Sequence, residues 1–135
     1  MHLNLIPAAF VDRAWKDGAS ELARACDRAK GEVTADQLKM MLARGERDLL
    51  CLVDDGKPVG WMVVQVQQLP NVRVMYVYSL YAPHHSLDAY RLLKDEAKVN
   101  GCSVIRGAVD EANERLWRAV DAQKVYTVYQ IEVQA

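Results

Sequence analysis

The stretch from Asp48 to Tyr81, DLLCLVDDGKPVGWMVVQVQQLPNVRVMYVYSLY, constrains the fold more than any other part of the chain. It is rich in valine, leucine and tyrosine, and it is punctuated at only two points. DDGK (54–57) is a tight hairpin signal and LPN (69–71) a looser turn. Three antiparallel strands are expected, over about 48–54, 58–67 and 72–81. In the third, Val72, Val74, Tyr76, Tyr78 and Leu80 alternate with Arg73, Met75, Val77 and Ser79. Both sets are largely apolar, which places this strand centrally, with helices on at least one side.

The flanking segments change period. HLNLI (2–6) reads as a short first strand stopped by Pro7. Residues 8–31 follow with Phe10, Val11, Ala14 and Trp15, then Leu22, Ala25 and Cys26, at helical spacing. Gly18 is placed to bend or interrupt this helix, and Gly31 to stop it. Thr34 and Gln37 form a capping-box pair ahead of the stripe Leu38, Met41 and Leu42, with Gly45 as the stop. After the meander, Ser86 is expected to cap a helix running to about Asn100. SVIRGAV (103–109) reads as a strand and EANERLWRAVDAQ (111–123) as a helix with Leu116, Trp117 and Val120 inward. VYTVYQIEV (125–133) reads as a last strand.

The whole is one α/β domain spanning 1–135. The expected order is β-α-α-β-β-β-α-β-α-β, giving a mixed sheet with helices on both faces.

Composition narrows the function classes. Seventeen Lys+Arg against eighteen Asp+Glu give a net charge of −1, with no like-charged block. This lacks the basic footprint of nucleic-acid or anionic-membrane binding. No apolar run approaches the roughly 20 residues of a membrane span. MHLNLIP lacks the charged start and long apolar stretch of a signal peptide, so a cytoplasmic location is expected. Cys26, Cys51 and Cys102 show no metal-ligand spacing and read as small apolar residues in a reducing compartment. His84 and His85 are adjacent and lack a third ligand, so no metal is expected.

The order, length and punctuation resemble the GNAT family of N-acetyltransferases over nearly the whole chain. A narrower resemblance is to small GNAT-like proteins encoded by tailed phages. It is carried by the opening strand ending in Ile-Pro, the Trp15 segment, LARGERDLLCLV, QLPNVRVMYVY, VNGCSVIRG, and a Trp nine residues before an aromatic (Trp117 and Tyr126). That group is associated with virion or assembly roles. The resemblance implies phage structural or host proteins as partners. It implies a location in the host cytoplasm, with incorporation in the phage particle left open. A homodimer through an edge strand is compatible with it, although no residue demands one.

The family implies a pyrophosphate loop of pattern [Q/R]-x-x-G-x-[G/A] after the fourth strand. Aligning Leu92-Leu93 with the paired leucines that often follow this loop puts His84 at the Q/R position, Leu87 at the first Gly and Ala89 at the Gly/Ala position. His84, His85, Ser86, Leu87, Asp88 and Ala89 are thus the cofactor-binding candidates, with a branched side chain where glycine is wanted. For the histidines, a solvated polar loop and an anion contact remain alternative readings. The family also implies a tyrosine acid in the last helix. Val120 or Asp121 falls there, according to the alignment chosen, and Val125 replaces a glycine before Tyr126. Glu46 and Asp48 are the candidate bases near the second strand, water being the alternative. Tyr76, Tyr78 and Tyr81 either line an acceptor cleft or pack a sheet face.

No catalytic residue is named by these patterns. They lead to a degenerate acyl-CoA site and a protein that acts by binding, with no cofactor expected. The alternative is an active N-acyltransferase using acetyl-CoA.

Overall fold

The computed structural model describes residues 1–28 and 32–133; the expected stop at Gly31 lies outside them. The meander forms as its punctuation dictates. β2 (Asp48–Asp54), β3 (Lys57–Gln68) and β4 (Arg73–Tyr81) pair antiparallel, and β1 (His2–Ile6) pairs antiparallel with β2. β5 (Val104–Gly107) joins β4 in parallel, so the sheet order is β1-β2-β3-β4-β5. This is the mixed α/β sheet expected from the element order.

The apolar run of the meander is explained by burial on both faces. On one face Leu49, Cys51, Trp61 and Val63 meet the N-terminal helices. On the other, Leu50, Leu52, Met62 and Val64 meet α4 (Ser86–Val99), which contributes Ala89, Tyr90, Leu93 and Ala97. Alternate residues along each of these strands therefore feed two separate cores.

The first helical region is more broken than its spacing suggests. A 3-10 turn (Ala8–Phe10) leads into α1 (Val11–Lys16), and a second (Ala19–Leu22) into α2 (Ala23–Arg28). The break falls at Gly18, whose φ of 131° is reserved for glycine. Its missing side chain also leaves room for Trp61: a Cβ there would stand 3.2 Å from the indole nitrogen.

α3 (Ala35–Ala43) begins with the expected capping box. The Gln37 N–H donates to Thr34 Oγ1 at 3.2 Å, and the Thr34 N–H donates to Gln37 Oε1 at 2.9 Å. Thr34→Ala removes the first bond and leaves a helix-end donor without its partner. It will lower the unfolding free energy by about 1 kcal/mol, measurable by urea denaturation.

Three sequence expectations are corrected. Ser86 is not the N-cap of α4. His85 is, and Ser86 is the first helical residue, its hydroxyl donating to the Ala82 carbonyl at 3.3 Å. α5 (Glu111–Ala119) ends earlier than expected. Asp121 takes a left-handed φ of 63°, and the Ala122 N–H bonds back to the Trp117 carbonyl at 3.0 Å, which terminates the helix. Finally, residues 125–133 do not form a strand. They are exposed and carry no regular secondary structure, and among the described residues none pairs with the sheet. Their strand chemistry is intact; what they lack in this single copy is a neighbour.

Candidate functional site

β4 departs from regular pairing at one place. Val63 sits opposite Ser79 while the next residue, Val64, sits opposite Val77, so Tyr78 is an extra residue in β4. Such a bulge releases backbone polar groups from the ladder and bends the strand. It also resets the alternation: Leu80, which plain alternation groups with Tyr76 and Tyr78, packs into the α4-side core beside Met75 and Val77. Tyr78 and Tyr81 pack against the opposite core. Pairing with β5 ends at Val77–Gly107, just before the bulge. Beyond it, among the described residues, 78–81 of β4 have no partner on the β5 side.

β4 then delivers the chain to the 82–86 loop. Ala82 is buried and tucked against Gly60: a Cβ on Gly60 would lie 2.7 Å from Ala82 Cβ. This is the close approach that a glycine inside a strand signals. His84 takes a left-handed φ of 66°, and the His85 N–H closes the turn onto the Ala82 carbonyl at 2.9 Å.

The first intrahelical bond of α4 runs from the Ala89 N–H to the His85 carbonyl at 2.9 Å. Among the described residues, the N–H groups of Ser86, Leu87 and Asp88 form no hydrogen bond. Free amides at a positive helix end can attract an anion. Ala89 is buried in the α4 core, whereas Leu87 is 38% exposed.

Two features oppose a phosphate here. The Asp88 carboxylate stands in the first turn, 3.8 Å from His85 Nδ1 and 4.0 Å from an Arg91 nitrogen. It already complements the helix dipole and would repel a second anion. In addition, 82–89 contains no lysine or arginine.

The tyrosines are held rather than free. Tyr78 donates its hydroxyl proton to Gln65 Oε1 at 2.9 Å and accepts from Gln67 Nε2 at 3.3 Å. Gln65 in turn donates to the Glu46 carbonyl at 3.0 Å. The Arg47 guanidinium lies 3.5 Å from the centre of the Tyr78 ring, a cation–π contact. Tyr76 stacks at a tilt on Tyr78, ring centres 4.7 Å apart. Burial first, then the neighbouring Tyr78 and Tyr126, raise the pKa of Tyr76. This makes it a weaker acid than a free tyrosine.

Sequence reasoning missed this network. Its signal was present as Gln65 and Gln67, two amides at strand spacing inside an apolar run. Glu46 enters through its backbone carbonyl. Asp48 opens β2, where partial burial raises its carboxyl pKa.

Neither residue at the expected acid position has proton-donor chemistry suited to a thiolate. Val120 is aliphatic, and Asp121 lies in the turn after α5. The cysteines offer no substitute: all three are free thiols, Cys26 and Cys51 are buried, and burial pushes the Cys51 thiol up to about 11. Among the described residues, no three His, Cys, Asp or Glu gather as a metal cluster, and no helix is long and apolar enough to cross a membrane.

Solved structures match this architecture along its full length. A ribosomal-protein-alanine N-acetyltransferase from Brucella melitensis superposes with a TM-score of 0.72 at 16% identity, covering 98% of this chain and 99% of that one. The chain has the GNAT fold. A glucosamine-6-phosphate N-acetyltransferase from Arabidopsis thaliana gives a TM-score of 0.61 at 11% identity, covering 98% and 97%. An aminoglycoside acetyltransferase from an uncultured soil metagenomic sample, in complex with sisomicin, gives 0.62 at 12%, covering 96% and 95%. No family model matches the chain, and no curated protein matches it. The GNAT fold is thus kept at identities where side chains have diverged, and only the residues themselves can speak for chemistry.

Proposed function

We propose that this GNAT-fold chain is a phage-encoded protein with a degenerate acyl-CoA site. It acts by binding protein, as a virion-associated or assembly component or as a modulator of a host protein. It works in the host cytoplasm and, in the first role, in the phage particle.

The observation that carries the reading is the start of α4. Asp88 supplies the negative charge that a bound pyrophosphate would otherwise supply, and Leu87 stands at the closest-approach position of the expected loop. The lack of a tyrosine or cysteine at Val120 and Asp121 supports it, as does the commitment of the Tyr78 proton to Gln65.

A second reading has its own observation. The bulge at Tyr78 and the unpaired end of β4 offer backbone groups that could polarise an acyl carbonyl, beside three free amides. This favours an N-acyltransferase that uses acetyl-CoA through an atypical loop.

Calorimetric titration separates the two. Acetyl-CoA will give no binding heat up to millimolar concentration, whereas micromolar affinity would overturn the degenerate-site reading. The double variant Leu87→Gly, Asp88→Asn will gain measurable affinity. If it gains none, these two residues are not the obstruction. Mass spectrometry of purified particles of the encoding phage tests the virion role, and absence there leaves the host-directed one.

A further inference from the structure

Trp117 of α5 packs directly onto the backbone of β5. A Cβ on Gly107 would stand 2.7 Å from Trp117 Cζ2, 2.9 Å from Trp117 Cη2 and 3.1 Å from the Val77 carbonyl oxygen. Gly107 has no left-handed φ. Glycine is needed here for the room it leaves to the indole, not for its backbone freedom. On its other side the indole meets Tyr90 of α4, ring centres 5.1 Å apart and tilted by 56°. Tyr90 is itself buried. The ring is therefore held from two sides.

The place it occupies matters. Val77–Gly107 is the last pair of the β4–β5 ladder, so the two strands part there. Trp117 packs with the α4-side core and covers this point from the side that α4 occupies. On the opposite face the Ala108 backbone hydrogen-bonds to the Tyr76 hydroxyl, and Tyr76 stacks on Tyr78. An aromatic ring thus clamps the parting of β4 and β5 on each face. A ligand arm that ran from the free amides of Ser86, Leu87 and Asp88 to the unpaired backbone of 78–81 would enter the sheet here.

We propose that Trp117 is a stopper, which closes the opening between β4 and β5 to the slender, acyl-bearing arm of a thioester ligand. The proposal deepens the degenerate-site reading and rests on it for the class of ligand. The two obstructions are nevertheless separable. Leu87 and Asp88 act on phosphate, whereas Trp117 acts on an arm that carries none.

The test uses acetyl-pantetheine, which has the arm and the acyl group without phosphates. It is titrated into the isotope-labelled full chain under reducing conditions, and amide shifts are read by NMR. The parent protein will show no shift at 78–81 or 107–108 at millimolar ligand. Trp117→Ala will bind at least tenfold more tightly than the parent, with shifts at 78–81, because removing the indole opens a space an apolar ligand can fill. Circular dichroism checks that the variant is folded, and Trp117→Leu, a smaller change, carries the same expectation. Binding by the parent with shifts at 78–81 overturns the proposal. So does a folded variant that does not bind, or one whose shifts are confined to the surroundings of Tyr90, which is a filled cavity and not an opened path. In the Leu87→Gly, Asp88→Asn protein, 3′-phospho-ADP will bind as well as acetyl-CoA, since the arm adds nothing while Trp117 is in place. Acetyl-CoA binding there at least tenfold tighter sinks the stopper and leaves the phosphate obstruction standing. Failure of both ligands to bind that protein sinks the phosphate obstruction and leaves the stopper to the acetyl-pantetheine result.

Discussion

Leu93→Ala will lower the unfolding free energy by about 2–5 kcal/mol, the usual range for emptying a leucine-sized core site. Leu93 is fully buried and is the largest fully buried side chain of α4, in the core shared with Leu50, Leu52, Met62 and Met75. β3 lies at the centre of the sheet beneath it, with two strands on each side, so the sheet resists collapse into the space. With a urea m-value of about 2 kcal/mol/M, the midpoint will fall by roughly 1–2.5 M. That is a large share of the 5–15 kcal/mol typical of a whole domain. A midpoint shift below about 0.3 M would mean that α4 is not anchored through this residue.

Gly60→Val will destabilise by about 1–3 kcal/mol or more, through overpacking rather than a cavity. An added Cβ would lie 2.7 Å from Ala82 Cβ and 3.0 Å from both Ala82 Cα and the Tyr81 carbonyl oxygen. Two of those three atoms are backbone, so no rotamer change relieves the clash. The strain falls where β4 hands over to the 82–86 loop, so the free amides of α4 will be displaced together with the fold. Ala82→Gly in a Gly60→Ala background will recover part of the loss, since it removes the shortest contact and leaves the two at 3.0 Å. Urea denaturation of the four combinations gives the coupling directly. Additivity of the two single changes would place the Gly60 effect elsewhere.

These residues also show how far the sequence could be read. The hairpin at DDGK, the capping box at Thr34 and Gln37 and the break at Gly18 rest on local chemistry. A turn, a cap and a glycine-only φ are set by a few consecutive residues. The candidate site was legible only in outline. The loop and the helix that follows it were placed, but the cap is His85 and not Ser86, because the Ser86 hydroxyl turns back to the Ala82 carbonyl. The role of Asp88 as a built-in counter-charge depends on where its carboxylate lies relative to the amides, which spacing alone does not report.

What the sequence determined by itself was the order of the elements as far as α5, the two-sided burial of the meander and hence the α/β mixed sheet. Hydrophobic period and turn chemistry are properties of neighbouring residues, and they suffice for that. Tertiary structure decided the rest. The bulge at Tyr78 is set in the pairing of β3 with β4, just past the end of the β4–β5 ladder, and it sends Leu80 and Tyr81 to faces that alternation does not give. The tail at 125–133 shows the limit from the other side. Its residues have everything a strand needs except a hydrogen-bonding neighbour, and a neighbour is supplied by the assembled fold, not by the segment.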